Sequence, residues 1–140
     1  MISKHFSLKE VTTTSTGLDN SIQEEDLPNI LFTAEQMEKV REALGGYPIL
    51  VNSWYRNKRV NTAVGGVENS AHRKGSAVDF RCPGFGDITK VCQAIIASGI
   101  QFDQLIWEYG RWVHISFAPR MRQQVLHIKK VGQYQLGLPS

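Results

Sequence analysis

Three segments of the chain place apolar residues at the three- and four-residue spacing of one helix face. They predict helices over residues 33–44, 56–64 and 88–98. Thr33 is followed three positions later by Gln36, which is the pattern of a capping box and predicts that the first helix begins there. The pattern therefore predicts three helices of unequal length, and the segments between them do not follow helical spacing.

Short runs rich in β-branched and aromatic residues predict strands between and after these helices. The runs cover residues 49–55, 77–81, 105–108, 112–117 and 125–128. The third and fourth runs are separated only by Tyr109-Gly110-Arg111, so they predict a β-hairpin.

Helices and strands alternate here without the regularity of a parallel sheet. We therefore expect an α+β fold with a small antiparallel sheet flanked by helices. The length fits one domain over residues 1–140. Residues 1–28 are expected to form an irregular N-terminal segment that Pro28 closes, and residues 132–140 a loose tail.

Composition narrows the class of protein only slightly. The chain is 41% hydrophobic and 21% charged, with a formal net charge of +3, which is typical of a folded globular domain. No apolar run approaches the roughly 20 residues of a membrane span. Met1–Phe6 leads into a polar, threonine-rich stretch, so we expect synthesis in the cytoplasm without a signal peptide.

The candidate chemistry lies in two histidines and one aspartate. Asp79 alternates with apolar neighbours on its predicted strand and should point away from the core, and His114 does the same on the hairpin. His72 precedes Asp79 by seven positions, and Gly75 between them allows a tight turn back. Two imidazoles and one carboxylate are the ligand count of a catalytic zinc site.

Each of these residues also has a structural reading. A lone histidine in a strand is more often a surface or hydrogen-bonded side chain, and a lone aspartate after a loop is more often a helix cap or a salt-bridge partner. His5 and His127 fit such readings. From the residues alone, zinc and structural roles for the three candidates stay open.

A longer motif joins the three candidates. Ser70-x-His72-x-x-Gly75-x-Ala77-x-Asp79, followed by Trp112-Val113-His114, resembles the zinc D-Ala-D-Ala carboxypeptidase family, which includes L,D-type peptidoglycan endopeptidases. The similarity is to its compact single-domain branch, common in phages and bacteria. It extends over about residues 3–119, including the segments 5–10, 52–56 and 64–70.

The resemblance implies a site and a reaction. Zinc would be held by His72, Asp79 and His114 in a fold of the hedgehog/D-Ala-D-Ala-peptidase type. A water molecule on the metal would attack a peptide bond of a peptidoglycan stem peptide. Arg56 would bind the substrate carboxylate or the developing oxyanion, for which its planar charged fork is suited, and Ser70 would line the site. Their other readings are a surface salt bridge for Arg56 and a turn former for Ser70.

The chain departs from the family pattern at one position. Many members carry an acidic general base three positions before the last histidine, where this chain has Arg111. Glu108 lies across the hairpin turn and is our candidate for the catalytic base, because residues opposed across a hairpin lie within about 5.5 Å of each other. Asp103 is the second candidate, with capping of the turn before the strand as its structural reading.

Two other functions compete with a zinc peptidase. The missing acid at Arg111 favours a catalytically silent, zinc-containing module that binds cell wall. The basic residues favour a nucleic-acid binder; they are Arg56, Lys58, Arg59, Arg73, Lys74, Arg120, Arg122, Lys129 and Lys130.

We expect the peptidase, acting as a monomer on a peptidoglycan peptide, with no nucleic-acid partner and no membrane span. Its setting would be the cell wall after phage-mediated release, as an endolysin. Four aromatic residues are candidates for the wall of the cleft: Trp54, Tyr55, Trp107 and Trp112.

Overall fold

Helices and strands occur where the hydrophobic pattern placed most of them, and the α+β class is confirmed. The computed structural model describes residues 1–140. Its α-helices are α1 Leu8–Val11, α2 Leu27–Ala43, α3 Lys58–Ala63 and α4 Ile88–Ser98, with one turn of 3-10 helix at Glu24–Asp26. Its strands are β1 Leu50–Ser53, β2 Ala77–Arg81, β3 Gln104–Glu108, β4 Trp112–Ser116, β5 Gln124–Ile128 and β6 Tyr134–Leu136.

The six strands form one sheet in the order β1-β2-β4-β3-β5-β6. All neighbours are antiparallel except β3 and β5, which pair in parallel with Gln104 opposite Gln124. The sheet is thus mostly antiparallel, as expected, and this pair is its one parallel exception. The chain leaves β4 at Ser116, beside the start of β3, and the loop over 117–123 returns it to the sheet at that same end. β5 consequently starts where β3 starts and runs in the same direction.

Helix α2 begins six residues before the position that the capping-box pattern indicated. Pro28 lies in its first turn, where a missing backbone N–H costs nothing. Thr33 is a buried interior residue, and its hydroxyl donates a hydrogen bond to the Asn29 carbonyl at 2.8 Å. The Thr33–Gln36 pattern was thus a false start signal, since a mid-helix threonine can bond to the preceding turn.

The C-terminal segment is more ordered than expected. Residues 132–140 were predicted to be a loose tail, but Tyr134–Leu136 form β6 against β5. The backbone of β5 would otherwise be an open edge, and β6 satisfies its free N–H and C=O groups. A three-residue strand is too short for its periodicity to be read in the sequence.

The two faces of the sheet differ in character. Val78 and Phe80 of β2, with Val113 and Ile115 of β4, are completely buried on one face. They join a core of 22 buried residues that includes the apolar sides of α2 and α4. Because side chains alternate along a strand, the residues between them point to the opposite face. No helix of the structure is both long and apolar enough to cross a membrane.

Candidate metal centre

The register of β2 and β4 places Asp79 beside His114. The two residues are direct partners in the antiparallel pair, so their side chains share the face opposite the core. The Nδ1 atom of His114 lies 2.9 Å from Oδ1 of Asp79. The strand alternation predicted this orientation for both residues, and the pairing brings them into contact.

His72 reaches the same carboxylate from the loop before β2. Its Nε2 lies 3.2 Å from Oδ2 of Asp79, and its ring centroid is 5.2 Å from that of His114. Its Nδ1 lies 2.7 Å from the Trp54 carbonyl oxygen. Because a carbonyl can only accept, Nδ1 carries a hydrogen, and Nε2 is the nitrogen that faces Asp79 and the site.

Backbone contacts fix the loop that carries His72. Ser70 Oγ accepts a hydrogen bond from the His72 N–H at 3.2 Å, which is the turn-forming role weighed for Ser70. The Arg56 N–H donates to the His72 carbonyl at 2.9 Å. Gly75 has a φ of +80°, and a Cβ there would lie 2.4 Å from Cγ1 of Ile30. The tight return that the sequence proposed at Gly75 is therefore present, and only glycine fits it.

A buried polar cluster anchors the same loop from its other side. Oδ2 of Asp26 accepts hydrogen bonds from Tyr55 Oη and from an Arg73 terminal nitrogen, both at 2.6 Å. The three residues are at most 8% exposed. Sequence reasoning missed this cluster, because the partners are 29 and 47 positions away from Asp26 and no pattern links them.

The electrostatics of the triad favour a positive charge. The ligand atoms of His72, Asp79 and His114 all lie within 4.8 Å of one another. Burial opposes ionisation of Asp79, yet the two imidazoles hold the pKa of its carboxyl well below the usual range. Burial also disfavours charged His114, but its bond to Asp79 and the charges of Asp79 and Glu108 raise its pKa. The site can hold a proton or a metal cation here, and its two nitrogens and one oxygen fit zinc.

Glu108 lies on the same face, next to the triad. It is the partner of Trp112 at the end of the hairpin, and its carboxylate accepts a hydrogen bond from the Trp112 indole N–H. Burial, with a smaller contribution from the charge of Asp79, raises the pKa of Glu108 against the opposing charges of His114 and Arg56. A half-buried carboxyl with a raised pKa beside a metal centre has the properties of a general base.

Asp103, the second candidate base, is engaged elsewhere. Its two carboxylate oxygens accept hydrogen bonds from the Arg122 guanidinium at 2.8 and 3.0 Å, and the Arg122 backbone N–H adds a third at 3.0 Å. These bonds, chiefly those of the guanidinium, lower the pKa of Asp103. The geometry therefore favours Glu108.

Arg56 lies at the β1 side of the site. Its charge acts on both Glu108 and His114, and its guanidinium is in none of the ion pairs of the structure. It lines a cavity of about 270 Å³ together with Thr13, Thr14, Ser15, Asn52, Ser53, Val60 and Val64. The structure therefore does not show the surface salt bridge considered for Arg56, and the guanidinium is available to an anionic ligand.

Of the four aromatic candidates for the cleft wall, one lies on the site face. Trp112 is there, half-buried beside Glu108. Trp54 and Tyr55 are fully buried in the core, and Trp107 packs against the core from β3. Alternation explains the difference, since Trp107 is one residue out of phase with Glu108.

Fold and site together define a class: an α+β protein with a two-histidine, one-aspartate centre of the catalytic zinc type. A family model described as Peptidase M15 matches residues 4–116, and the chain belongs to this family. The family predicted from the Ser70–Asp79 motif is thereby confirmed.

A curated relative shares part of the sequence. Over 52 residues the chain is 41% identical to the zinc D-Ala-D-Ala carboxypeptidase of Streptomyces albus G. The match covers 37% of this chain and 20% of the relative, so it spans about a fifth of that protein's length.

Proposed function

We propose that the protein is a zinc-dependent peptidase that hydrolyses a peptide bond in peptidoglycan stem peptides. The observation that carries the proposal is the convergence of His72, Asp79 and His114, whose ligand atoms lie within 4.8 Å of one another. Membership of the Peptidase M15 family supports the reaction, and the partial match to a zinc D-Ala-D-Ala carboxypeptidase supports the substrate class.

In this proposal His72, Asp79 and His114 would hold zinc. Zinc, when bound, supplies Lewis-acid chemistry that activates water and polarises the scissile carbonyl. Asp79 contributes negative charge between the two imidazoles, and the Trp54 carbonyl orients His72 so that its Nε2 faces the site.

Glu108 is the proposed general base. It takes a proton from the attacking water and delivers it to the departing amine nitrogen, so that the amine leaves in its neutral form. Its burial-raised pKa brings the carboxylate closer to the basicity that proton transfer at neutral pH requires. The indole N–H of Trp112 fixes the orientation of the carboxylate.

Arg56 is the proposed anion-binding residue. Its guanidinium would bind the carboxylate of the substrate, or stabilise the negative oxygen that develops at the scissile carbonyl. Its position in a cavity at the β1 side of the sheet and its lack of an ion-pair partner support either task.

The test is hydrolysis of purified peptidoglycan fragments, followed by mass spectrometry, with and without a chelator. We expect peptide products that a chelator abolishes, and the masses identify the cleaved bond. His114→Ala should lose both zinc and turnover, whereas His5→Ala, which removes a half-exposed histidine paired with Glu38, should keep both. Undiminished turnover by the His114 variant would overturn the proposal.

A catalytically silent wall-binding module is the alternative outcome of the same experiment. Arg111, exposed at the hairpin turn, stands where the motif of the family led us to expect an acid. Stoichiometric zinc with no released peptide would favour this alternative. The nucleic-acid alternative is weaker, because Arg73 and Arg122 of its basic set are already paired with Asp26 and Asp103.

The biological setting is also a proposal. The compact branch that the motif resembles is common in phages, so we propose that the enzyme degrades host cell wall as an endolysin. Lysis of outer-membrane-permeabilised cells by the added wild-type protein, and no lysis by the His114→Ala variant, would support this setting. Cleavage of isolated fragments without lysis would contradict it.

A further inference from the structure

Strands β5 and β6 extend the site face of the sheet beyond the part of the chain that the family model matches. The match ends at residue 116, and both strands follow it. Ile128 is the partner of Glu108 in the parallel pair, and Tyr134 is the partner of Ile128 in the next pair. Since paired residues share a face, Glu108, Ile128 and Tyr134 form one row.

A second row runs beside the first. His114 is paired with Ile106, Ile106 with Leu126, and Leu126 with Leu136. The face that carries the metal ligands therefore continues without interruption across β3 and β5 to the edge strand β6. We call Leu126, Ile128, Tyr134 and Leu136 the C-terminal shelf.

The C-terminal shelf is apolar. Its two residues on β5 are buried, and its two residues on β6 are exposed. Ile128 and Leu126 are 2% and 9% exposed, whereas Tyr134 and Leu136 are 55% and 79% exposed. Tyr134 lies in the same row as Glu108, two strands away, and partial burial and then the negative charge of Glu108 raise its pKa. An exposed apolar edge that adjoins a reactive centre is a surface on which a ligand can bury apolar area.

Tyr109 completes the shelf at the hairpin turn. Its φ of 60° and the φ of 67° at Gly110 both lie in the left-handed region, as in the tight hairpin turns that match the twist of the strands. In this conformation the Tyr109 N–H donates to the Ile128 carbonyl at 2.9 Å, and its ring packs on the buried residues of the shelf, 5.4 Å from the Trp112 ring. The turn therefore places an aromatic ring next to Trp112, which bonds to the proposed base.

The two sides of the centre are chemically opposite. Arg56 follows β1, the first strand of the sheet order, and the C-terminal shelf is formed by the last two strands. Asp79, His114 and Glu108 lie on the strands between them, and His72 lies in the loop before β2. A peptide crossing the strands would therefore meet a cation on one side of the scissile bond and an apolar surface on the other.

We propose that the C-terminal shelf is a specificity subsite, which binds an apolar side chain of the peptide substrate on the side of the scissile bond remote from Arg56. The inference rests on the proposed function, and it assigns to β5 and β6 the selection of the residue that is bound there. An alanine methyl group is the smallest side chain that the shelf would bind in preference to glycine, which has no side chain.

The test compares two synthetic stem-type peptides that differ only in carrying alanine or glycine at that side of the cleaved bond. Wild-type protein should prefer the alanine peptide by about tenfold in kcat/KM, the range for one methyl group in an apolar pocket. The double variant Tyr134→Ser/Leu136→Ser should lose the preference through a higher KM with little change in kcat. The control Gln135→Ala, on the other face of β6, should keep it. An unchanged preference in the double variant would overturn the inference while leaving the proposed function intact.

A binding measurement separates the two hypotheses further. The indole N–H resonance of Trp112 should shift when the alanine peptide is added to the metal-free wild-type protein, and should shift much less in the double variant. If the wild-type protein cleaves no wall peptide, the proposed function fails. The shift of the Trp112 resonance would still test whether the shelf binds the peptide. Equal shifts in wild type and double variant would again reject it.

Discussion

Two buried aspartates, Asp26 and Asp79, lie on either side of the 70–76 loop and differ in the residues that they contact. Asp26 accepts hydrogen bonds from Tyr55 and Arg73, whereas Asp79 faces the imidazoles of His72 and His114. Both residues are at most 9% exposed. What distinguishes them is the chemistry of the groups that surround them.

The partners of Asp26 donate hydrogen bonds to its carboxylate across the whole physiological pH range. An arginine stays protonated throughout the accessible pH range, and the hydroxyl of Tyr55 is a donor whose pKa burial and Asp26 raise to about 12. Imidazoles, in contrast, can give up their protons and then offer lone pairs, so that Asp79 and its neighbours can exchange a proton for a metal cation. The adjacent residues His72 and Arg73 thus connect the 70–76 loop to both clusters. The Asp79 cluster can exchange a proton for a metal cation, whereas the Asp26 cluster is structural.

The largest effect should come from breaking the structural cluster. Asp26→Asn leaves the buried Arg73 charge with only the exposed Glu25 carboxylate, 3.9 Å away, so we expect a loss of about 3 kcal/mol in the free energy of unfolding, measured by urea denaturation. Asp79→Asn should cost less in the metal-free protein, because the imidazoles can become neutral, but it should abolish zinc retention. Equal stability losses in the two metal-free variants would contradict the distinction drawn here.

The next effect concerns the two carboxylates near the hairpin, Glu108 and Asp103. Glu108→Gln should retain zinc and lose about 10²–10⁴-fold in turnover, the usual contribution of a general base. Asp103→Asn should keep most of the turnover and instead lower stability by about 2 kcal/mol, because it weakens a charged hydrogen-bonded pair with Arg122. Peptide hydrolysis and metal content, measured on both variants, check the assignment. A fully active Glu108→Gln variant would remove Glu108 from the mechanism.

Local patterns were sufficient to predict the strands that carry Asp79 and His114. Alternation on β2 and β4 assigned Asp79 and His114 to the face opposite Val78 and Ile115, and the register then brought them together. The single constraint that a side chain faces either core or solvent decides this orientation. The motif spacing around Gly75 added the return of the loop.

Long-range contacts could not be predicted in the same way. The Asp26–Arg73 pair, the Trp54 carbonyl that orients His72, and the parallel pairing of β5 depend on how distant segments pack. The false start of α2 has a related cause, since a hydroxyl that bonds to the preceding turn has the same sequence signature as an N-cap. Three-residue β6 is ordered by its partner strand rather than by its own pattern.

The smallest predicted effect is the pH dependence of stability that Tyr55 of the Asp26 cluster contributes. Tyr55 has a pKa of about 12 in the folded protein, because of burial and its bond to Asp26, against about 10 in an unfolded chain. The unfolded chain therefore releases this proton first, so its contribution to stability is complete below pH ~10 and is lost as pH rises toward 12.

We expect the unfolding free energy to fall by up to about 1.4 kcal/mol for each pH unit in this window, in excess of the slope of Tyr55→Phe. Lysines titrate in both proteins, so the difference between the two slopes isolates Tyr55. Urea unfolding between pH 9 and pH 11.5 measures it. Identical slopes would contradict a raised pKa of Tyr55 in the folded protein, and with it the burial of this hydroxyl against Asp26.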